Sequence, residues 1–455
     1  MGAFHAYDIR GIYNVDFNKE TAYKIGYFIP GLLSVDKVLV GRDCRTSSPE
    51  IHEYLVKGIT DAGADVYDLG LSSTPMVYFG TAFYHFGAPV QITASHNPAE
   101  YNGMKVSREN ALPVRYDTGL GDIERWIQEG RPTPVAAKKG TVHPMDAHED
   151  YRKFLMKFKG DYSNLRIAFD LSNGMANLFA KEIFAGEDAC YLFDTLDGRF
   201  PNHEPNPLIA KNVEPLKKLV CDIKADIGVI YDGDADRVMF VDEKGQFVPP
   251  DLVIAMMARY FCDERGEKHP RVLQEIRSSK AVGEYLQAYG AEVHTWRVGR
   301  AFAAPKLRDI DGLWGGELAG HYYFKDFFYS DSGMLASIIV LRIVAAMKRN
   351  GRSLSEEIAG IARYRNSGEI NFRIEDKAAA MDAVRAHFKA AETPEAEMDF
   401  DGYRLEFNGW WFNIRPSNTE PYLRFICEAT SEEVLRQKIA EAQQIIEKQF
   451  GGVRV

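Results

Sequence analysis

Short apolar runs alternate with amphipathic stretches along most of this chain, and the alternation restarts twice. The first round covers 37–94, where runs such as KVLVG have the character of buried strands and apolar residues recur at helical spacing over 48–62. Two further rounds cover 165–234, with a predicted helix over 175–186, and 271–317. Strands that alternate with helices in this way indicate βαβ units, which build parallel sheets. The sequence therefore predicts three similar, doubly wound α/β domains.

The C-terminal segment has a different pattern. A helical stretch at 378–390 precedes two strand-like runs, 403–415 and 422–429, and a second helical stretch covers 432–449. This order is typical of an α+β module. The proline-containing segment 130–147 is interpreted as a linker. The predicted domains, arranged around a central cleft, are 1–140, 148–249, 250–365 and 366–455.

Composition and charge exclude several classes of protein. Of the 455 residues, 45% are apolar and 26% are charged, a normal balance for a folded chain. The net charge of −10 disfavours non-specific nucleic-acid binding, and no uncharged apolar stretch reaches the roughly 18 residues that a membrane span needs. The five cysteines are far apart without a C-x-x-C pair, and the N-terminal residues lack an apolar signal core. We therefore expect a cytoplasmic protein without nucleic-acid or membrane partners.

The segment TASHNPAEYNGMK (93–105) brings a serine to the end of a predicted strand. Ser95 follows the apolar run PVQITA and enters a loop that contains His96, Asn97 and Gly103. A serine in this place can act as a nucleophile or as a phosphoryl carrier, although the segment does not form the G-x-S-x-G turn of α/β-hydrolases. An ordinary turn is the alternative interpretation of this segment taken alone.

The segment YDGDADR (231–237) alternates three aspartates with other residues. Because side chains alternate in an extended chain, the carboxylates of Asp232, Asp234 and Asp236 are expected on one side. Three carboxylates without thiolate or imidazole partners suit Mg²⁺. A calcium loop is a weaker interpretation, because Arg237 stands where the sixth position requires glycine. A solvated acidic turn is disfavoured because the run directly follows a predicted buried strand.

Two further segments offer groups for sugar and phosphate. In GGELAGHYYF, Glu317 can accept hydrogen bonds from sugar hydroxyls and His321 can carry a proton. In RPSNTEPYLR, a guanidinium, two hydroxyls and an amide fall within five residues, which matches the needs of a phosphate. These four residues are Arg415, Ser417, Asn418 and Thr419. A turn between two strands is the alternative for this last segment.

The four segments, in this order, resemble the α-D-phosphohexomutase superfamily, in particular its phosphomannomutase/phosphoglucomutase members. AYDIRG near the N-terminus matches as well, so the resemblance covers the whole chain, and FKDFFYSDSG (324–333) is closer to phosphomannomutases than to phosphoglucosamine mutases. The resemblance implies a mutase that moves a phosphoryl group between C1 and C6 of mannose or glucose through a phosphoserine and a hexose 1,6-bisphosphate. It further implies one Mg²⁺ per chain, a hexose phosphate substrate, hexose 1,6-bisphosphate as an activating primer, and a monomer or homodimer.

The resemblance also assigns roles to single residues. Ser95 matches the phosphorylated serine, and Glu317 matches the acceptor of sugar hydroxyls. The positions that match Mg²⁺ ligands, beside an oxygen of phosphorylated Ser95, are Asp232, Asp234 and Asp236. The positions that match basic residues around the transferring phosphoryl group are Arg10, Lys105 and Arg237. The 415–419 loop matches the site of the non-reacting phosphate, and the supporting positions are Tyr7, His96 and Asn97. The candidates for the general base are Lys105, Arg10 and His321.

Three positions depart from the family pattern or match it loosely. Ala319 stands where the sugar loop G-E-x-S-G-H commonly carries serine, so one hydroxyl is lost, worth about 0.5–1.5 kcal/mol if it bound sugar. Arg300 replaces a histidine that relatives often carry, and we expect it to add phosphate affinity. Arg277, in EIRSSK, loosely matches a basic residue that contacts phosphate.

Other functions share these features. A phosphatase would use the same aspartates, Mg²⁺ and phosphate loop but would pass the phosphoryl group to water. A non-catalytic sugar-phosphate sensor would tolerate the loss of Ser95, and a phosphoglucosamine mutase is the nearest alternative in substrate. In the mutase, the 366–455 module is expected to close over the substrate.

Overall fold

The structure is a computed structural model that describes residues 2–417 and 421–455. Four β-sheets succeed one another along this part of the chain, and each sheet with its helices is called a domain. Domains 1 to 3 are α/β units, and domain 4 is an antiparallel α+β unit, as the sequence predicts. The inner strands of the parallel sheets are largely buried and mainly apolar, whereas the edge strands are partly exposed.

Domain 1 contains a six-stranded sheet with the order β1-β5-β4-β2-β3-β6. Its strands are β1 (Ile9–Ile12), β2 (Lys37–Arg42), β3 (Asp65–Leu71), β4 (Pro89–Ile92), β5 (Tyr101–Val106) and β6 (Val142–Pro144). Its helices are α1 (Lys19–Leu33), α2 (Ser48–Asp61), α3 (Thr74–Phe83), α4 (Leu120–Gln128) and the following α5 (His148–Met156). Strands β2, β3 and β4 run parallel, so their carboxyl ends lie at one edge of the sheet.

Strand β6 lies within the segment 130–147 that the sequence analysis interprets as a linker. It pairs in parallel with β3, through Val66 opposite Val142. Part of the expected linker therefore extends the first sheet beyond residue 140. The proline-rich composition does not prevent this, because an edge strand leaves one side of its backbone unpaired and tolerates proline.

Domain 2 contains a five-stranded sheet with the order β11-β10-β9-β7-β8. Its strands are β7 (Arg166–Asp170), β8 (Asp188–Leu192), β9 (Ile227–Tyr231), β10 (Val238–Asp242) and β11 (Phe247–Val248). Its helices are α6 (Ala180–Ile183) and α7 (Ala210–Ile223).

The helix predicted over 175–186 is wrong in its extent, because only a 3₁₀ turn at Met175–Leu178 and the short α6 form. Phe179, with a φ of −128°, separates the two short elements. The backbone of Met175 donates its N–H to the carbonyl of Gly233 at 2.9 Å. This bond attaches the start of the segment to the loop that follows β9.

Domain 3 contains a five-stranded sheet with the order β13-β12-β14-β15-β16. Its strands are β12 (Arg271–Glu275), β13 (Glu292–Trp296), β14 (Trp314–Gly316), β15 (Tyr322–Phe324) and β16 (Ser330–Asp331). Its helices are α8 (Pro250–Met256), α9 (Lys280–Gln287), α10 (Arg300–Asp309), α11 (Gly333–Arg349) and α12 (Leu354–Ile361). A π-helical turn, Arg259–Glu264, follows α8.

Domain 4 contains a seven-stranded antiparallel sheet. Its strands are β17 (Arg365–Asn366), β18 (Ile370–Arg373), β19 (Ala396–Met398), β20 (Tyr403–Phe407), β21 (Trp410–Pro416), β22 (Tyr422–Ala429) and β23 (Val453–Arg454). Its helices are α13 (Lys377–Ala391) and α14 (Glu432–Phe450). The single strand-like run predicted over 403–415 is a hairpin, in which Asn408 and Gly409 form the two-residue turn. Gly409 has a φ of +81°, which is the left-handed conformation that such turns require.

The apolar cores show which domains are joined most firmly. One buried cluster includes Phe79 of domain 1, Phe169 of domain 2 and Trp314 of domain 3, whereas domain 4 has its own cluster around Phe388 and Phe412. Domain 4 shares no apolar cluster with the others in the described chain, and its contacts with domain 3 include hydrogen bonds and the stacked rings of Trp296 and Phe400, 5.3 Å apart. Within residues 2–417 and 421–455, every helix is too short or too polar to cross a membrane.

Candidate active site

Most of the predicted site residues lie in loops at the carboxyl ends of strands. Ser95 follows β4, the three aspartates of 232–236 follow β9, Arg277 follows β12 and Glu317 follows β14. Open α/β sheets form their ligand crevices at this edge. The chain thus brings three separate sheet edges together at one cleft, and Arg415 near the end of β21 adds a contribution from domain 4.

Ser95 lies at the junction of domains 1 and 2. The residue is buried and its backbone has a φ of +51°, an uncommon conformation for a residue with a side chain. Its Oγ donates a hydrogen bond to Oδ2 of Asp232 at 2.7 Å, and Nδ1 of His96 lies 3.4 Å from the same oxygen. Burial and the positive charges of Arg237 and Arg10 lower the pKa of His96, so its ring is neutral.

The three aspartates converge in a tight loop between β9 and β10. Ala235 has a φ of +62°, so the loop turns sharply instead of continuing as the extended chain that the sequence analysis assumes. Oxygens of Asp232, Asp234 and Asp236 nevertheless lie within 4.8 Å of one another, and all three side chains are fully buried. Burial and the two neighbouring carboxylates raise the pKa of Asp232.

The donor set of this loop fits a divalent cation with a preference for oxygen. Oδ1 of Asp234 and Oδ1 of Asp236 are buried and have no hydrogen-bond partner among the described residues. Leaving a buried polar atom without a partner costs about 1–3 kcal/mol, so the pair is suited to a ligand that supplies positive charge. Carboxylates alone, without thiolate or imidazole, favour Mg²⁺ or a similar hard cation. The described residues therefore contain a candidate acidic metal site of the predicted composition.

Basic side chains surround Ser95 and the aspartates. Nζ of Lys105 donates to Oδ2 of Asp234 at 2.7 Å and also to Oδ2 of Asp236. Burial opposes the charged lysine, but the two aspartates raise its pKa, so it remains a cation. Nη1 of Arg10 donates to Oδ1 of Asn97 at 2.8 Å, which connects β1 to the loop after Ser95.

His321 is held in one tautomer by its two neighbours. Nε of Arg237 donates to Nε2 of His321 at 3.0 Å, and Nδ1 lies 2.7 Å from Oδ2 of Asp331. An arginine nitrogen can only donate, so Nε2 must accept and the ring hydrogen belongs to Nδ1. The imidazole therefore directs a lone pair toward the guanidinium of Arg237 and the centre of the cleft.

Arg300 contacts domain 1 as well as its own domain. Its Nε donates to Oδ1 of Asp331 at 2.7 Å, and its Nη2 donates to the carbonyl of Ala111 at 3.0 Å. The guanidinium also lies 3.7 Å from the centre of the Tyr78 ring. All of these contacts are internal to the protein, and Arg300 acts on His321 through Asp331.

Glu317 is fixed from both sides. Its Oε2 accepts the backbone N–H of Gly299 at 2.9 Å, and its Oε1 accepts the hydroxyl of Tyr323. Burial raises its pKa. The carboxylate keeps further lone pairs, so it can accept hydroxyl donors while its orientation stays constant.

Acidic residues partner the arginines on the domain 4 side of the cleft. Nε of Arg415 donates to Oδ1 of Asp401 at 3.0 Å. Arg277 donates to Glu369 at 2.8 Å and to Glu275 at 2.9 Å. These carboxylates occupy the kind of position that a bound phosphate takes beside arginine.

The remaining predicted residues lie near this arginine group or outside the described chain. The backbone of Ser417 donates to the carbonyl of Tyr422 at 2.8 Å, at the end of the β21–β22 hairpin. The Tyr7 ring packs edge-on against Phe302 of domain 3 at 5.7 Å, and burial raises its pKa to about 12. Asn418 and Thr419 lie outside the described residues.

Several residues that contact the predicted ones are absent from the sequence analysis. Thr74 donates its hydroxyl to Oδ2 of Asp234, although 160 residues separate them. Thr74 could have been found by the rule that selects Ser95, because it also follows the carboxyl end of a parallel strand, β3. Asp331 lies in the run FKDFFYSDSG, in which the family resemblance assigns no role to a single residue. Glu369 and Asp401 lie in loops without a recognisable motif.

The fold and this site define a member of a known enzyme family. The sequence matches the α/β/α domains I, II and III of the phosphoglucomutase/phosphomannomutase family over residues 1–132, 149–245 and 249–364, and its C-terminal domain over 369–444. The chain belongs to the phosphoglucomutase/phosphomannomutase family.

Individual relatives match nearly the whole chain. A phosphomannomutase of Methanocaldococcus jannaschii is 35% identical over 98% of this chain and 97% of its own length. A phosphomannomutase of Salmonella typhimurium is 36% identical over 95% of this chain and 96% of its own length. The solved structure of a phosphoglucomutase/phosphomannomutase family protein from Burkholderia thailandensis superposes with a TM-score of 0.88 at 26% identity, covering 98% of this chain and 97% of that one.

Proposed function

We propose that this chain interconverts hexose 1-phosphates and hexose 6-phosphates of the mannose and glucose type by passing a phosphoryl group through Ser95. The observation that carries the proposal is the hydrogen bond from Ser95 Oγ to Asp232 Oδ2, at 2.7 Å. It places a buried hydroxyl beside three carboxylates and several cations. Phosphoryl transfer requires mainly positioning and charge neutralisation, which this arrangement supplies.

We propose that Asp232, Asp234 and Asp236, with an oxygen of phosphorylated Ser95, hold one Mg²⁺. The bound ion would offset the charge of the phosphoserine and polarise its phosphorus. The protein's own cations also contribute to charge neutralisation, because Lys105, Arg10 and Arg237 lie around the serine. These three cations balance the three aspartates, and a phosphoserine carries about −1.5 to −2 charges at neutral pH, so the two positive charges of a bound Mg²⁺ would match the phosphorylated form. A hexose 1,6-bisphosphate is the proposed primer that phosphorylates Ser95.

His321 is the proposed base for the attacking hydroxyl. Lys105 has a raised pKa and stays protonated, and arginine does not lose its proton in proteins. Nε2 of His321 carries a lone pair and is held by the Arg237 donor at 3.0 Å. A substrate phosphate that attracts the guanidinium of Arg237 would release this nitrogen to accept the proton of the sugar hydroxyl.

Glu317 is the proposed sugar-recognition residue. The bisphosphate intermediate must turn around between the two half-reactions, and the equatorial 3- and 4-hydroxyls roughly exchange places when the ring is reversed. A carboxylate fixed by Gly299 and Tyr323 can accept these hydroxyls in both orientations. Because mannose and glucose differ at C2, a site that binds O3 and O4 accepts both. The non-reacting phosphate is assigned to the 415–419 loop, with support from Arg277 and Tyr7.

The proposal is tested with purified protein, Mg²⁺ and a trace of glucose 1,6-bisphosphate. Mannose 1-phosphate, glucose 1-phosphate and glucosamine 1-phosphate are offered in parallel, and both the 6-phosphates and inorganic phosphate are measured. We expect isomerisation of the mannose and glucose compounds with comparable kcat/KM. Release of inorganic phosphate without isomerisation would indicate a phosphatase instead, and a preference for the glucosamine compound would indicate the alternative substrate.

Ser95→Ala should abolish turnover, because it removes the oxygen that carries the phosphoryl group. Ser431→Ala is the matched control, since Ser431 Oγ accepts the Val434 N–H at the start of α14 and belongs to no predicted site. We expect the control to keep the kcat of the unmodified protein. Full activity of Ser95→Ala would overturn the proposed mechanism.

A further inference from the structure

Arg45 is a buried arginine in the loop between β2 and α2, and the proposed mechanism assigns it no role. Its side chain is 1% exposed. Its two terminal nitrogens donate to four backbone carbonyls of one short loop: Asn97 at 2.6 Å, Pro98 at 2.6 Å, Ser95 at 2.9 Å and Tyr101 at 3.0 Å. A single guanidinium therefore holds the loop that begins at the proposed phosphoryl carrier.

The surroundings of Arg45 keep its guanidinium in one place. Oδ2 of Asp43 lies 3.2 Å from its Nε, and Oδ1 of Asp43 accepts both the backbone N–H of Arg45 and the hydroxyl of Ser48. On the other side, the guanidinium lies 4.9 Å from the centre of the Phe200 ring, which belongs to domain 2. The donor is thus fixed by its own loop and by the neighbouring domain.

Other contacts to the loop are single bonds, such as Arg10 to Oδ1 of Asn97 at 2.8 Å and the Ser95 N–H to Oγ1 of Thr93 at 2.9 Å. Ser95 has a positive φ, which is unfavourable for a residue with a β-carbon and persists only where surrounding contacts impose it. The carbonyl of Ser95 also packs closely against Gly233, since a β-carbon at that glycine would lie 2.4 Å from it. The contacts from Arg45 and Gly233 together determine where the Ser95 side chain begins.

We propose that Arg45 is a positioning residue for phosphoryl transfer. It fixes the 95–101 loop so that Oγ of Ser95 keeps one position through both half-reactions. This inference rests on the proposed function of Ser95. In each transfer to sugar, the bond from phosphorus to Oγ breaks, a bond from phosphorus to the sugar oxygen forms, the hydroxyl proton passes to the base, and Oγ takes up a proton. In the competing reaction, water forms the new bond to phosphorus, Oγ gains a proton and inorganic phosphate leaves.

A fixed loop favours transfer to sugar, because the rate of this transfer depends on the alignment of one bound hydroxyl with the phosphorus. Water can approach in many orientations, so the rate of hydrolysis falls less when Oγ is displaced. Removal of Arg45 should therefore slow transfer to sugar and increase the share of phosphoryl groups that end as inorganic phosphate.

The test compares Arg45→Met and Arg45→Lys with the unmodified protein. For Arg45→Met we expect kcat to fall about 100-fold, the size of effect that small misalignments produce, while KM changes little. The inorganic phosphate formed per 6-phosphate should rise. The kcat of Arg45→Lys should lie between those of Arg45→Met and the unmodified protein. A lysine ammonium keeps the charge but cannot reach four carbonyls in the planar arrangement of a guanidinium.

Arg259→Met is the control for a purely structural loss. Arg259 donates two hydrogen bonds to the buried Glu357, at 2.5 and 2.8 Å, within domain 3. Its loss should lower Tm but leave kcat and the share of inorganic phosphate unchanged. Hydrogen exchange of the 95–101 amides should increase in Arg45→Met and stay constant in Arg259→Met.

Two results would overturn the inference. One is an Arg45→Met protein with unchanged kcat and unchanged exchange in 95–101. The other is an equal loss of kcat in Arg259→Met, which would show that lower stability alone explains the effect. If the unmodified protein isomerises no hexose phosphate, the proposed function fails, whereas the exchange measurement still decides whether Arg45 holds the loop.

Discussion

Arg300 shows how strongly the surroundings of one residue determine its part in a site. On sequence grounds it is expected to add affinity for phosphate, and that role stays a prediction. In the structure its guanidinium contacts Asp331, the carbonyl of Ala111 and the ring of Tyr78. Asp331 in turn holds Nδ1 of His321. The charge of Arg300 is thus largely offset, and its effect on the cleft is transmitted through the orientation of His321.

Arg300→Ala should lower kcat about tenfold or more, because misplacing a group in a reacting site is costly. KM should change less, since the guanidinium is engaged within the protein. Steady-state kinetics with glucose 1-phosphate would measure both. Arg308→Ala is the matched control, because Arg308 lies on the same helix, 4.6 Å from the Tyr329 ring centre, and donates to a backbone carbonyl. A rise in KM at constant kcat would instead support direct phosphate binding by Arg300.

At the scale of elements, the parallel sheets are predictable because short strand-like runs alternate with amphipathic stretches along the sequence. The run at 37–41 corresponds to β2, Lys37–Arg42, and the run at 65–70 corresponds to β3, Asp65–Leu71. Predictions fail where a tertiary contact competes with local pattern. Met175 gives its N–H to Gly233 of a distant loop, and the 3₁₀ turn that it begins ends at Phe179, whose φ of −128° separates the turn from α6. No periodicity in the sequence reveals a hydrogen bond to a loop that lies far along the chain.

The part of the candidate site that lies in short local segments is also predictable from the sequence. Ser95 and the aspartates of 232–236 occur in compact segments with distinctive chemistry, so they can be identified singly. Their partners cannot, because Thr74 and Asp234 are 160 residues apart and meet only after two domains have packed. Arg45 has no motif of its own in the sequence analysis, although it follows the carboxyl end of β2 and thus obeys the same edge rule.

The contact of α9 with β22 buries two carboxyl groups at the boundary of domains 3 and 4. Oδ2 of Asp251 accepts the backbone N–H of Ser279 at 2.8 Å, and the hydroxyl of Ser279 donates to Glu428 at 2.7 Å. Burial and the nearby Glu428 raise the pKa of Asp251 to about 7. The folded protein therefore binds this proton more tightly than the unfolded chain does.

This difference predicts that stability decreases as the pH rises. The contribution of Asp251 is fully present below its unfolded pKa of about 4 and is lost as the pH rises to about 7, at a slope on the order of 1 kcal/mol per pH unit. Asp251→Asn should flatten this part of the profile. Urea unfolding at pH 5 and pH 8, followed by far-ultraviolet circular dichroism, would measure this change in stability. Asp309→Asn, at an exposed site, should keep the original slope. Equal slopes in both variants would contradict the assignment.

At the scale of the whole molecule, polar contacts join domain 4 to domain 3. Nη1 of Arg404 donates to the carbonyls of Ile276 and Ser278, at 2.7 and 2.6 Å, on either side of Arg277. Oδ2 of Asp401 accepts the backbone N–H of Val298 at 2.9 Å. Polar contacts of this kind can be replaced by other hydrogen bonds at a lower free-energy cost than the separation of an apolar core. This supports the expectation that domain 4 closes over the substrate.

Arg404→Met should loosen domain 4, because it removes two hydrogen bonds across this boundary. We expect a higher KM for glucose 1-phosphate, a larger radius of gyration in solution scattering and faster hydrogen exchange in β20 and β21. Saturating glucose 1,6-bisphosphate should reverse the last two changes. Arg385→Met serves as the control, since Arg385 pairs with Glu397 inside domain 4. Scattering and exchange that do not respond to the ligand in either protein would rule out closure.

The separation of Ser95 from Asp232 by 137 residues has a consequence for the newly made chain. A ribosome releases domain 1 first, with its serine loop but without the acidic loop that completes the site. Glu317 emerges later, and Arg415 last of all. Under the proposed roles, the pair that holds the phosphoryl group can therefore assemble before the residues that bind the sugar and the second phosphate have been made.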